Sequence, residues 1–253
     1  MSAIEYKIKG NIAYLTLNRP AVHNAINLEM VASLKNACLL ISQQDNIRAV
    51  IITGAGDSFC SGEDTDSLSP DLAEELVINS NVSATVGNLE VPVIAAINGN
   101  ALGAGLALAL ACDVRIASEK SLFGVPDVER GYLSASGITQ WLPRIVGRAK
   151  ALEMILTSES MDAQEAHRIG LIHRVVSHQD VLNEANDLAQ RIESKAPIAL
   201  KYIKEAVSKG MDMTLPQGLR LECDLYMILH TTQDRTEGIT AFREKRHPQF
   251  KGR

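Results

Sequence analysis

Apolar and polar residues alternate through the N-terminal stretch IEYKIKGNIAYLTL, which is interrupted by Gly10 and Asn11. A period of two is typical of strands with one buried face, and a Gly-Asn pair favours a tight turn. After Asn27, apolar side chains recur every three or four residues, at Leu28, Val31, Leu34, Cys38 and Ile41. The pattern therefore predicts a β-hairpin followed by a helix that Asn27 caps.

Short, nearly continuous apolar runs follow: RAVIITG, VPVIAAING and DVRIAS. Such runs are typical of strands covered on both faces. The later pattern is mostly helical, in ITQWLPRIVGRAKALEMILTS, in DAQEAHRIG with Asp162 as cap, and in stretches near 181–208, 216–229 and 234–246, with one more strand in LIHRVVS. We expect an α/β core over residues 1–195 and a C-terminal helical region over 196–253.

The composition favours a globular protein that is not attracted to nucleic acid. Of 253 residues, 46% are hydrophobic, and the formal net charge is -5. The most apolar run, ALGAGLALALAC, reaches Asp113 after about a dozen residues, whereas a membrane span needs roughly 20. The four cysteines form no CxxC pair and the N-terminus has no signal-like apolar segment. We therefore expect a soluble cytoplasmic protein with reduced thiols and no metal.

The sequence lacks the patterns GxGxxG before a helix, GxxxxGK[ST], GxSxG and HExxH. Dinucleotide, nucleoside triphosphate, serine-hydrolase and zinc-protease chemistry are thus disfavoured. Cys60 has no histidine near it in sequence, and we expect it to be a small buried residue. His167, His173 and His178 lack the spacing of metal ligands.

Two glycine-containing segments, GAGDSFCSGED and NGNALGAGLALALACD, follow predicted strands. In the second, Gly103 and Ala104 open an Ala/Leu-rich helix, where unpaired N–H groups favour negative charge. Small residues at this position equally favour close packing of the helix. From this segment alone, both interpretations remain open.

In order, the stretches NRPAVHNAIN, ITGAGDSFCSGED, VPVIAAINGNALGAGLALALACDVRIAS, FGVPDVERG and EAHRIGLIHRVV resemble the crotonase superfamily of enoyl-CoA hydratases and isomerases. The resemblance covers almost the entire chain. It implies a spiral of β-β-α units, a C-terminal region that forms homotrimers or dimers of trimers, and an acyl-CoA thioester as substrate. Coenzyme A would then be part of the substrate, with no separate cofactor.

The resemblance also implies that the backbone N–H groups of Glu63 and Ala104 bind the thioester oxygen. Charge accumulates on that oxygen when a neighbouring proton is removed, so two fixed donors stabilise the transition state more than the ground state. The Glu63 carboxylate would repel this charge unless it points away.

The acid residues differ from those of the hydratases that this chain resembles. Ala107 stands where those enzymes have one glutamate, and Asp127 matches the other. Ala135 stands where dienoyl-CoA isomerases have an aspartate. A single acid favours double-bond isomerisation, with Asp127 as proton shuttle and Glu129 as a possible auxiliary acid.

Several further residues match coenzyme A contacts of the family: Ala21, His23, Ser61, Asp64, Tyr226 and Lys245. Tyr226 would cover the adenine, frequently from a neighbouring subunit, and Lys245 would reach the nucleotide end. Asp66 occupies a position often held by lysine, where an acid would repel phosphate.

Two alternatives stay open beside the isomerase. One is a hydratase, hydrolase or decarboxylase whose second acid is Glu63, Asp64 or Glu129. The other is a catalytically impaired acyl-CoA-binding or RNA-associated subunit, although the acidic net charge argues against RNA.

Overall fold

The computed structural model describes residues 2–64, 82–133 and 135–253. Its strands are β1 (Ile4–Lys9), β2 (Ile12–Leu17), β3 (Ala49–Gly54), β4 (Val93–Ile97), β5 (Ala101–Leu102), β6 (Val114–Ser118), β7 (Leu122–Gly124), β8 (Met161–Asp162) and β9 (Arg174–Val176). Its α-helices are α1 (Leu28–Ser42), α2 (Val82–Gly87), α3 (Ala104–Leu110), α4 (Ile138–Val146), α5 (Arg148–Thr157), α6 (Ala163–Arg168), α7 (Val181–Glu193), α8 (Pro197–Gly210), α9 (Leu215–Leu229) and α10 (Gln233–Glu244). Short 3-10 turns occupy Pro20–Val22 and Pro126–Arg130. The predicted α/β class is confirmed.

The main sheet has six strands in the order β1-β2-β3-β4-β6-β9. Strands β1 and β2 form the predicted antiparallel hairpin, and Gly10 takes the positive φ of 60° that its turn requires. All other pairs in this sheet are parallel. The C-terminal ends of β3 and β4 therefore lie side by side at one edge of the sheet, which is where the two glycine-containing segments begin.

The continuous apolar run of β3 follows from its position in the fold. Successive side chains of a strand point to opposite faces, and both faces of this strand are covered. Val50 and Ile52 belong to the core cluster that includes α1, α2 and α3. Ala49 and Ile51 belong to a second cluster, on the face covered by α7. The predicted two-sided burial is confirmed.

Helix caps follow the sequence prediction. The Asn27 side chain accepts a hydrogen bond from the Met30 N–H at 2.9 Å, and α1 begins at the next residue. The Asp162 side chain accepts one from the Glu165 N–H at 2.8 Å and starts α6. The Glu165 carboxylate binds Arg168 and takes no part in the cap.

Two predicted helical stretches are each divided in the structure. Gly147, with a φ of 82°, separates α4 from α5, and Pro197 starts α8 after α7 has ended. The proline lacks an N–H group and disfavours a helical residue before it, so it is tolerated only in the first turn. The predicted boundary between 195 and 196 falls in this gap, and the division into two regions stays a prediction.

A second sheet, which the sequence pattern did not reveal, has three very short strands in the order β5-β7-β8. Strands of two or three residues show no measurable period, so they escape detection by pattern. Among the described residues, no helix is both long and apolar enough to cross a membrane.

Asp234, at the start of α10, fixes the last described residues. Its carboxylate is buried and accepts hydrogen bonds from the N–H groups of Lys251 and Gly252, at 2.7 and 2.8 Å. Because both oxygens accept, Asp234→Asn would turn an amide NH2 toward an N–H donor.

We expect Asp234→Asn to lower the free energy of unfolding by about 1–3 kcal/mol, measured by chemical denaturation. Asp45→Asn, at an exposed position, serves as control and should leave it within about 0.5 kcal/mol of the parent. Equal stability of the two variants would contradict the structural role of Asp234.

Candidate active site

The segments after β3 and β4 are joined by backbone hydrogen bonds. The Cys60 N–H donates to the Asn100 carbonyl, and the Leu102 N–H donates to the Cys60 carbonyl, both at 3.0 Å. A parallel bridge thus pairs Cys60 with Ala101. The glycine-containing segments are brought together immediately before Glu63 and Ala104.

The peptide of Glu63 has a fixed orientation. The Ile26 N–H donates to the Gly62 carbonyl at 2.8 Å, and the Asp64 N–H donates to the Ile26 carbonyl at 2.9 Å. In such a parallel bridge the central residue directs its own N–H to the opposite side. The Glu63 N–H therefore points away from Ile26.

Ala104 is the first residue of α3, where the N–H has no partner within the helix. A Cβ atom placed on Gly62 would lie 3.8 Å from the Ala104 nitrogen. Standard bond lengths then put the Glu63 nitrogen within roughly 7.5 Å of the Ala104 nitrogen. Two donors that share one acceptor at about 3 Å lie at most about 6 Å apart, so the convergence of these two N–H groups stays a prediction.

Asp127 lies beside Gly103, the residue that precedes Ala104. A Cβ atom on Gly103, which has a φ of 49°, would lie 3.3 Å from Oδ2 and 3.6 Å from Oδ1 of Asp127. Asp127 is only 6% exposed, and its Oδ2 atom has no hydrogen-bond partner among the described residues. The Gly103 N–H donates to the Gly124 carbonyl at 3.0 Å. This bond holds the Gly103 segment against the strand that precedes Asp127.

Burial raises the pKa of the Asp127 carboxyl, while its own backbone N–H and the charge of Arg130 act in the opposite direction. Burial likewise raises the pKa of the Tyr132 phenol, and the charges of Asp127 and Glu63 raise it further. The phenol therefore lies within electrostatic range of both carboxylates. Asp127 and Glu63 thus both influence the Tyr132 phenol electrostatically.

A family model described as enoyl-CoA hydratase/isomerase matches residues 7–253. The chain belongs to this family. It is 42% identical over 248 residues to YngF of Bacillus subtilis, whose name includes enoyl-CoA hydratase/isomerase, with 96% of this chain and 95% of YngF covered. It is 38% identical over 244 residues to the crotonyl-CoA hydratase of Syntrophomonas wolfei, with 94% of each covered.

A solved structure of an enoyl-CoA hydratase from Bacillus anthracis has a TM-score of 0.96 and 37% identity, covering 99% of this chain and 100% of that chain. The predicted resemblance to the crotonase superfamily and its fold is therefore confirmed. Enoyl-CoA hydratases and isomerases are enzymes, and an acyl-CoA thioester fits this family.

The alternative acids occupy different surroundings in this enoyl-CoA hydratase/isomerase. Asp64 forms an ion pair with Arg19, Nη1 to Oδ2 at 2.8 Å. Glu129 is exposed on the 3-10 turn, and Ala107 is fully buried in the core. Glu63 is only partly exposed and remains the carboxylate nearest in sequence to the amide pair.

Three residues predicted to contact coenzyme A lie together. Ala21 belongs to the exposed 3-10 turn after β2, and His23 follows with a φ of 50°. The Ser61 N–H donates to the His23 carbonyl at 3.0 Å, so this turn packs against the Glu63 segment. Their contacts with coenzyme A stay a prediction.

Two further coenzyme A candidates lie on the C-terminal helices. Tyr226, on α9, is 59% exposed and meets His230 edge to face, with ring centroids 4.5 Å apart. Lys245 ends α10. The sixth candidate, Asp64, is ion-paired with Arg19, and all three roles stay predictions. Asp66, where an acid would repel phosphate, lies outside the described residues.

Cys60 is fully buried, and burial raises the pKa of its thiol to about 12. The thiol is therefore protonated at neutral pH and packs against α3, as expected for a small buried residue rather than a nucleophile. No group of three or more potential metal ligands occurs within the part of the chain that the structure describes.

Sequence reasoning missed Arg19. The residue stands in the NRPAVHNA motif, but nothing local indicates that its partner is Asp64, which is far along the chain. The only available signal was the opposite charge of two residues in neighbouring family motifs.

If the ionised Asp127 carboxylate is the base, kcat/KM should fall as the pH falls through its pKa. Because burial raises that pKa, the acidic limb should lie above the usual range for aspartate. Initial rates with an enoyl-CoA substrate between about pH 3 and 9, a range that includes the ordinary aspartate pKa, measure this limb. A limb at the ordinary aspartate pKa would contradict the role assigned to burial.

Proposed function

We propose that this enzyme moves the double bond of an enoyl-CoA thioester, with Asp127 as its single proton carrier. The observation that carries the proposal is the buried Oδ2 of Asp127, which has no partner among the described residues and lies against Gly103. A buried polar atom without a partner is unfavourable unless a ligand or substrate proton meets it. The neighbouring residue is Ala104, which supplies one of the two amides.

The amides of Glu63 and Ala104 would hold the thioester oxygen. Removal of a proton from the α-carbon places negative charge on this oxygen, and fixed N–H donors need no reorganisation to stabilise it. One such donor typically lowers the barrier by about 3 kcal/mol. The backbone thus supplies the electrophilic part of the site.

Asp127 would carry out the proton transfers. Its carboxylate takes the proton from the α-carbon of a β,γ-enoyl-CoA, and the C–H electron pair delocalises to the thioester oxygen. The same proton then passes to the γ-carbon, and the double bond moves to the α,β position. No proton is gained or lost overall, so one acid-base group is enough.

Burial at Asp127 supports this role. A raised pKa moves the titration of the carboxyl toward neutral pH, so that both protonation states are accessible to a group that accepts and then donates a proton. Ala107, fully buried and without a titratable group, cannot replace it.

A hydratase is the second candidate. It is favoured by the names of relatives such as the crotonyl-CoA hydratase of Syntrophomonas wolfei. Water addition needs a base for the water and an acid for the α-carbon, and commonly uses two carboxylates. Glu63, whose charge reaches the same phenol as that of Asp127, would be the second acid.

The proposal includes a homotrimer or dimer of trimers in which the C-terminal helices complete the coenzyme A site. Large apolar side chains on α8 and α9 are exposed in the single chain, which supports an interface there: Ile203, Val207, Leu219 and Met227. Tyr226 lies on the same helix and would approach the adenine of a neighbouring subunit.

The decisive experiment incubates the purified protein with β,γ-enoyl-CoA and, separately, with α,β-enoyl-CoA in deuterated water, followed by chromatography that separates the two isomers and by mass spectrometry. Double-bond migration supports the isomerase, and a mass gain of one water from the α,β substrate supports the hydratase. Binding without turnover or α-deuterium would instead favour the acyl-CoA-binding subunit.

A further inference from the structure

Arg19 forms a partly buried link between the turn after β2 and the Glu63 segment. Its Nη1 atom lies 2.8 Å from Oδ2 of Asp64 and donates to the Ala25 carbonyl at 2.6 Å. The two charged side chains are 22% and 14% exposed. A pair with this burial is less screened than a surface pair, so it can hold a defined geometry.

The same turn fixes the backbone on both sides of Glu63. Ile26 accepts from the Asp64 N–H and donates to the Gly62 carbonyl. These bonds determine the side toward which the intervening amide points. Arg19 is bound both to Asp64, next to Glu63, and to Ala25, next to Ile26.

Asn24 anchors the turn through the hydrogen bonds of its buried side chain. It is fully buried, has a φ of 58°, and its Oδ1 accepts from the Arg19 N–H at 2.9 Å. Its amide NH2 donates to the carbonyls of Ala55 and Ser58, at 2.9 and 2.8 Å. The turn is therefore anchored to the segment after β3 independently of the Arg19 side chain.

We infer that Arg19 is a positioning residue that, through Asp64, orients the Glu63 amide toward the thioester oxygen. Arg19 acts through Asp64 and the Ile26 bridge rather than by contact with the reacting atoms. The inference rests on the proposed function, because it assigns the Glu63 amide to the developing oxyanion. Loss of the guanidinium would remove this ion pair and the bond to the Ala25 carbonyl, and would loosen the bridge that orients this amide.

The effect should be on turnover more than on binding. Loss of a whole oxyanion donor lowers kcat by about a hundredfold or more, so a misaligned donor should lower it by about tenfold. KM should change by less than about threefold, because coenzyme A binding involves many other groups. Arg19→Lys, which keeps the charge, should recover part of the loss.

The test uses the full-length protein as Arg19→Met, Arg19→Lys, Asp64→Asn and the double variant Arg19→Met/Asp64→Asn. The readouts are kcat, KM, thermal unfolding and the absorption band of bound dimethylaminocinnamoyl-CoA. Donors that polarise the thioester carbonyl shift this band to longer wavelength, so it reports on the amide itself. Arg168→Met, which breaks an exposed pair with Glu165, is the matched control.

The expected result is a smaller band shift and a lower kcat in Arg19→Met, out of proportion to its loss of thermal stability. The double variant should be no worse than either single variant, because coupled residues act as one unit. A full band shift and parental kcat in Arg19→Met would overturn the inference. So would losses of kcat that follow losses of thermal stability across all four variants.

The double variant keeps the test decisive if Arg19→Met does not fold, because it removes the negative charge of Asp64 as well. Failure of the proposed function has a different signature. The parent protein would then show neither a band shift nor α-proton exchange, whereas failure of the inference alone leaves both intact in the parent.

Discussion

Asp127→Asn should lower kcat by about a hundredfold to ten-thousandfold, the range expected for the loss of a general acid-base group. The amide is nearly isosteric with the carboxyl and preserves the contact with Gly103, but it cannot carry the proton. KM should change little. The rate of α-proton exchange in deuterated water is the direct measurement.

The same substitution should stabilise the fold at neutral pH. Burial raises the folded-state pKa of Asp127, so the stability contributed by this carboxyl is present below its unfolded pKa and is lost as the pH rises through the folded pKa. Asparagine carries no charge and avoids that loss. The unfolding temperatures of the parent and of Asp127→Asn should therefore be similar at low pH and should differ above the folded-state pKa of Asp127.

Two further variants complete this test. Asp127→Glu restores a carboxyl and should retain part of the exchange, and Asp45→Asn, at an exposed position, should match the parent. Parental turnover in Asp127→Asn would remove the shuttle assignment and favour Glu63 as the acting acid.

Gly105→Ala should lower kcat by about a hundredfold, similar to the loss of one oxyanion donor. A Cβ atom at this position would lie 2.6 Å from Cβ and 2.7 Å from Sγ of Cys60, and closer still to the Cys60 carbonyl oxygen. That carbonyl accepts from the Leu102 N–H, so it cannot withdraw without breaking the bridge. The added methyl group would push α3 away from the Glu63 segment and separate the two amides.

The free energy of unfolding should also fall in Gly105→Ala, by about 1–3 kcal/mol, as in other overpacked cores. Gly210→Ala is the control, because no atom lies within 4 Å of its added Cβ. It should be as stable as the parent or more stable, by up to about 1 kcal/mol. Parental kcat in Gly105→Ala would show that the spacing of the two segments is not critical.

The elements predicted correctly are those whose signals are local. The hairpin, the Asn27 cap and the two-sided burial of β3 each follow from a few consecutive residues. The divisions at Gly147 and Pro197 were missed because the apolar pattern continues across them. Strands β5, β7 and β8 were too short to have a pattern at all.

The candidate site was predictable to a different extent at each residue. Family motifs indicated Glu63, Ala104 and Asp127, and the structure places them in neighbouring segments. The burial of Asp127 and its unpartnered oxygen depend on tertiary packing, which no local pattern encodes. The Arg19–Asp64 pair depends on the fold in the same way, because it joins two segments that are far apart in sequence.

The small three-stranded sheet joins the two parts of the proposed site. Ala104 follows strand β5 by two residues, and the neighbouring strand β7 leads to the turn that carries Asp127. Under the proposed mechanism, the pairing of β5 with β7 therefore sets the distance between the acid and one of the two amides. Exchange of the acid on that turn would leave this pairing in place, which would allow new reactions to evolve on an unchanged backbone.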